Sequence, residues 1–193
     1  MIAYKFLRSG RVGPFSGFPW PEPDVRVHTA TEVAVCRRGI HACRPGDLPW
    51  WLADELWEIE LDGPVQVEEH KIVAAAGRLR SRIEAWTPAC AQEYAYACAW
   101  RAQGGAVAAR RLADEIPETR ISLTIAGDGA VRALTGAPPT SAYIAAHAEM
   151  RADGPAGYAA ERAWQSQWLV DRLGLRTDSD ACNGTDAPGT YRT

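Results

Sequence analysis

Between Gly39 and Trp51 the chain reads Gly-Ile-His-Ala-Cys-Arg-Pro-Gly-Asp-Leu-Pro-Trp-Trp, a run that holds an imidazole, a thiol, a carboxylate and two indoles. Side chains two apart on extended backbone share a face, so His41 and Cys43 can meet as base and nucleophile, with the Arg44 cation beside them to favour a thiolate. Cys36, His41 and Cys43 also spell C-x4-H-x-C, to which His28 or His70 would add a fourth ligand for tetrahedral zinc. That spacing lacks the paired C-x2-C links that turn two thiolates toward one ion, and we assign no metal. Structural cysteines are the simpler account of both patterns.

Two further groupings could do chemistry. Arg8-Ser9-Gly10-Arg11-Val12-Gly13 offers backbone amides at glycines with two guanidiniums alongside, which suits a phosphate, and Arg37-Arg38 would add charge if the loops converge. The glycine spacing matches neither nucleotide-binding fingerprint. Glu58 and Glu60 lie roughly 7 Å apart on one strand face, a spacing from which general acid and base roles can be built, although exposed glutamates on a wet sheet face explain them as well. The candidate catalytic residues are therefore His41, Asp47, Glu58 and Glu60. Arg8, Arg11, Arg38, Trp50 and Trp51 are the candidates for holding a ligand.

The elements that must position these groups follow from periodicity. Ala3 to Leu7 reads as a first strand, stopped by Ser9-Gly10, and the Gly/Pro-rich passage from Gly13 to Pro21 reads as a loop ordered by its aromatics. Val25–Val27 and Val33–Cys36 are short β-prone runs. Leu48–Glu55 is expected to make one or two helical turns with Asp47 as N-cap and Pro49 near N2. In 56–61, Trp57, Ile59 and Leu61 alternate with Glu58 and Glu60, the pattern of a half-buried strand, and 70–76 and 78–83 continue the sheet.

After Thr87-Pro88 the composition turns alanine-rich. Helices are expected over 89–102, with Cys90, Tyr94 and Cys98 on one stripe, and over 107–116, 141–151 and 158–173, the last two separated by Asp153-Gly154-Pro155. Ile121–Ile125 alternates like a strand. The last helix carries Ala160, Trp164 and Trp168 at four-residue spacing, and with Trp100 these are expected to pack the helical half. The whole is read as α+β, with a small mixed β-sheet domain over 1–86, a helical region over 87–176 packed on it, and a disordered tail over 177–193.

With 193 residues the chain can bury a full core without disulfides, and its five cysteines are expected to be free thiols. A formal charge of −3 gives none of the basic footprint that general nucleic-acid binding needs. No export signal is legible in the first residues and no apolar run approaches the roughly 20 residues that span a bilayer, so a cytoplasmic protein with no membrane partner is expected.

Ala3-Tyr4-Lys5-Phe6 and the Gly39-Ile40-His41-Ala42-Cys43 turn resemble an uncharacterised family of bacterial and phage domains that open with an Ala-Tyr-Lys strand and later carry a Gly-Phe/Ile-His-Ala-Cys turn. The resemblance runs from about Ile2 to Trp86 and implies domain limits, because no activity is attached to it. A fainter similarity is to ADP-ribosyltransferase-like folds. It would put Lys5 or Arg8 at an early strand position, Gly39 to Ala42 at the following turn and Glu58 or Glu60 in the place of the late glutamate. The chain lacks the Ser-Thr-Ser element of those folds, and its glutamates come early.

The resulting expectation is a group-transfer enzyme that binds a nucleotide-like or phosphate-bearing small molecule, with NAD as the candidate cofactor, in a cleft around His41. The alternative is a non-catalytic interaction module that receives a protein partner, or a second copy of itself, on a Trp/Pro-rich surface.

Overall fold

The computed structural model describes residues 1–29, 33–34, 37–102 and 138–176. The expected helix over 107–116, the strand at Ile121–Ile125, the tail from Thr177, and Cys36 and Cys182 lie outside the described residues. Among these residues, five strands, β1 (Ile2–Leu7), β2 (Val27–His28), β3 (Ile40–Ala42), β4 (Glu55–Glu68) and β5 (Lys71–Arg82), precede two helices, α1 (Pro88–Arg101) and α2 (Pro138–Leu173). A 3-10 helix, Pro45–Trp50, lies between β3 and β4. The class is α+β, and no described helix is long and apolar enough to cross a membrane. Every strand ladder among the described residues is antiparallel, a more regular sheet than the mixed one expected.

Connectivity curls this sheet into a ring. β4 pairs with β1 on one side and β5 on the other, and β3 pairs with the first part of β5. β1 and β3 then meet at one bridge, where Tyr4 N donates to Cys43 O at 2.9 Å and Cys43 N to Tyr4 O at 2.8 Å. Register shifts between Trp57 and Ile59 and between Asp62 and Val65 supply the bend that closure requires.

Strand alternation then sorts side chains to two faces. Ala3, Leu7, Ile40, Ala42, Trp57, Ile59, Leu61, Ile72 and Leu79 form one buried cluster, which Trp20 of the Gly/Pro-rich loop covers. Tyr4, Phe6, Cys43 and Leu56 point the other way, into a second cluster with Trp86, with Tyr94 and Cys98 of α1, and with Leu169 of α2. The expected alternation of Trp57, Ile59 and Leu61 with half-buried Glu58 and Glu60 is present.

Thr87 caps α1 by accepting from Cys90 N, Pro88 fills the first turn, and the Cys90–Tyr94–Cys98 stripe is buried as its spacing indicates. α2 breaks at Asp153 and Gly154, where φ reaches 62°, so two helical segments flank the expected Asp-Gly-Pro interruption. The buried seam of its second segment is displaced by one residue from the tryptophan stripe. Glu161, Gln165, Leu169 and Leu173 are buried while Ala160 is exposed, and Trp164 and Trp168 are only partly covered.

Polar residues can occupy that seam because they satisfy one another. Arg101 Nε donates to Glu161 Oε2 at 2.8 Å, Gln165 Nε2 to Glu161 Oε1 and the Ala142 carbonyl, and Arg162 Nη1 to Gln165 Oε1. Arg101 also lies over the Trp164 ring, 4.1 Å from its centroid. Trp100, expected to pack this half, instead projects outward with 90% of its surface exposed.

Candidate functional site

The Gly/Pro-rich loop owes its shape to an internal anion. Arg8 and Val12 pair across a tight turn in which Gly10 and Arg11 have φ of 79° and 61°. The amides that this turn presents are occupied by carboxylates from the start of β4. Gly10 N donates to Glu55 Oε1 at 3.0 Å and Arg11 N to Oε2 at 3.3 Å, while Ser9 donates from both N and Oγ to Asp54. Trp57 Nε1 adds a third bond to Glu55, at 3.0 Å. The loop proposed to cradle a ligand phosphate therefore holds the protein's own glutamate. Arg11 is ion-paired with Glu22, Arg8 is exposed, and neither faces the cavity described next.

Anchored in this way, the loop arches over the edge where β1 meets β3 and encloses a cavity of about 850 Å3. Trp20 and Phe18 pack edge to face at 5.7 Å, and Phe15 reaches Trp51 at 5.9 Å, so aromatic rings form the loop side and the rim. Gly39 opens the opposite wall. Its φ of 129°, and the 2.5 Å that would separate an added Cβ from Val73 Cγ1, make glycine the residue that lets the His41 strand lie against β5.

Of the residues singled out from sequence, Arg38, His41 and Trp51 line this cavity together. Asp47 and Trp50 do not. The Asp47 carboxylate is buried and accepts from Arg44 N, Nε and Nη2, so the N-cap is Arg44 and Asp47 sits at N3 of the 3-10 helix, a correction to the expected cap. Trp50 stacks on His70 at 4.0 Å beside a second hollow, of about 730 Å3, against α2. Glu58 and Glu60 line neither space, and Glu60 is paired with Arg78 and Arg80.

Cys43 is excluded as a nucleophile by its surroundings. Its thiol points to the Tyr4 carbonyl at 3.2 Å inside the helix-facing core, and burial, followed by the Asp47 charge, pushes it far above the ordinary thiol range. Of the zinc set considered, Cys36 lies outside the described residues and the Cys43 sulfur is committed to this bond.

From sequence Lys5 entered only through the ADP-ribosyltransferase-like similarity, and Lys71 was passed over. The chain has 21 lysines and arginines, of which only Lys5 and Lys71 are lysine, and both line this one cavity. Lys5 stands between Ala3 and Leu7 on the ring's inner face, and its ammonium donates to the His41 carbonyl beside the Tyr4–Cys43 bridge. It also faces the Trp20 ring, 5.2 Å from the centroid. Burial lowers its pKa to about 8, with nearby Cys43 opposing. Burial likewise lowers His41, helped by the charges of Lys5 and Lys71, so its imidazole is neutral at pH 7.

Electrostatically the cavity is one-sided. Lys5, Lys71, Arg37 and Arg38 line it with His28 and His41, and no Asp or Glu is among its described lining residues, although the chain as a whole is acidic. No family model, no curated protein and no solved structure matches this chain. Geometry and charge alone therefore carry the functional reading.

Proposed function

We propose that the cavity binds a nucleotide-like or other phosphate-bearing small molecule and that the protein transfers a group from it, with His41 as the side chain that handles the proton. The observation that carries this is the lining: four Lys/Arg side chains and two histidines without a carboxylate among the described residues, beside the rings of Trp20 and Trp51. Low-dielectric walls focus such a field and raise the local concentration of anions, and the aromatic surfaces suit a base or nicotinamide ring. A neutral imidazole at pH 7 is the form that accepts a proton. NAD fits this class of ligand, having both a pyrophosphate and stacking rings.

Thermal unfolding with ADP, NAD and pyrophosphate tests the reading. A ligand present at about 100 times its Kd adds about 2.7 kcal/mol, which for a domain of this size raises Tm by about 5–10 °C. That rise is expected to disappear when Arg38 and Lys71 are both changed to alanine, and to diminish in His41→Ala. A rise of the same size in the double variant would place the ligand elsewhere.

A non-catalytic interaction role is the second reading, favoured by Phe15, which stands 83% exposed at the cavity rim. Absence of any thermal shift, together with a mass that grows with concentration in light scattering, would support it over the first.

A further inference from the structure

We propose that Lys5 is a carbonyl-reactive amine, whose Nζ condenses with an aldehyde or ketone on the anionic ligand of this cavity to form an imine. This rests on the cavity being the ligand site. Lys5 is only partly exposed to solvent. It lies on the inner face of the strand ring, its nitrogen is held by the His41 carbonyl and faces the Trp20 ring, and no carboxylate pairs with it among the described residues. The ionisable groups around it are His41 on β3, Cys43 just after it, Lys71 on β5, His28 on β2, and Arg37 and Arg38 before β3. Burial disfavours the charged ammonium, with nearby Cys43 opposing.

The chain's use of lysine points the same way. Arginine is the cation almost everywhere else, and a guanidinium stays protonated at any accessible pH, so it cannot present a nitrogen lone pair. An amine can. The Nζ lone pair adds to the carbonyl carbon as the C=O π pair moves to oxygen, which takes up the proton released from nitrogen to give a carbinolamine. The carbon–oxygen bond then breaks, the hydroxyl leaves with one proton as water, and the nitrogen keeps a C=N bond. Amine and carbonyl thus yield imine and water, with no oxidant or reductant, and hydrolysis reverses the step. The N–H retained in the neutral amine can still donate to the His41 carbonyl and aim the lone pair.

Pyridoxal 5′-phosphate, which joins an aldehyde to a phosphate, is the probe, with pyridoxal as its phosphate-free counterpart. The native protein is incubated with each at pH 7.5, reduced with borohydride, and mapped by mass spectrometry. Lys71 and the terminal amine of Met1 serve as internal references. Lys5 is expected to be trapped at least about tenfold faster than Lys71, with a rate that rises through pH 8 instead of pH 10.5. Excess pyrophosphate should protect it from the phosphate-bearing probe. Trapping at Lys5 by both probes at equal rates would uphold the reactive amine while removing the anion-binding reading. Saturable stabilisation by pyridoxal 5′-phosphate with label confined to Lys71 or Met1 would overturn the amine and leave ligand binding intact. Loss of the main adduct in Lys5→Arg, with the circular dichroism spectrum kept, completes the test; the wild-type pH profile decides the matter should that variant fail to fold.

Discussion

Trp86→Ala is expected to lower folding stability by about 3–5 kcal/mol, the range found when a large buried aromatic is truncated and its space stays partly empty. Trp86 is 2% exposed and stands where the strand ring meets the helices. Its ring packs edge to face on Phe6 of β1 at 5.5 Å and on Tyr94 of α1 at 6.4 Å, and its Nε1 donates to the Ala53 carbonyl at 2.9 Å. Truncation removes both contacts and orphans that carbonyl. Urea unfolding followed by circular dichroism gives the measurement, read as a fall in midpoint at constant slope. A loss below about 1 kcal/mol, the level of an ordinary surface change, would mean that the helices do not depend on this junction.

The second large effect is at Glu55. Burial alone would raise its carboxyl, but the Trp57 indole, the Gly10 amide, the Arg82 charge and the Arg11 amide together outweigh burial and hold it below the ordinary carboxylate range. Glu55→Ala is expected to lose about 3 kcal/mol at pH 7, the upper end for hydrogen bonds to a charged group, since the two turn amides can regain water while the buried indole cannot. The sign with pH follows from linkage. A carboxyl depressed in the folded state contributes stability that is complete above its unfolded pKa and is lost as pH falls through the folded value. The gap between wild type and variant should accordingly shrink on going from pH 7 to below about pH 4. A gap that stays constant across that range would refute the assignment. Because Glu55 fixes the turn that starts the loop over the cavity, the variant should also bind ligand more weakly.

How far the sequence could be read depended on whether a residue's partner was near it in the chain. The Trp57–Ile59–Leu61 alternation, the Thr87-Pro88 helix start and the Asp153–Gly154 break are local signals, set by strand period, capping and backbone freedom, and each is present. Glu55 was not legible as the occupant of the Gly10–Arg11 turn, since the pairing joins residues 45 apart in sequence. The α2 seam was placed one residue off for a related reason. Glu161 and Gln165 look like surface residues until Arg101 and the Ala142 carbonyl are found against them. Trp100 counted as core by its hydrophobicity, yet it faces outward.

Within the cavity, Arg38, His41 and Trp51 were found from their crowding in one stretch, whereas Lys5 entered only through a resemblance and Lys71 not at all, because each is alone in its segment. The signal that was available is compositional. A chain that uses arginine for nearly every cation had two lysines to explain.

The central claim is that the cavity between the Gly/Pro-rich loop and the His41 strand recognises negative charge. Isothermal titration of the wild-type protein with ADP and with adenosine, at low and at high salt, tests it most directly. The account predicts that ADP binds more tightly than adenosine and that its advantage shrinks as salt screens the cations of the cavity wall. Equal affinities for the two, an ADP affinity that salt leaves unmoved, or no heat with either would contradict it.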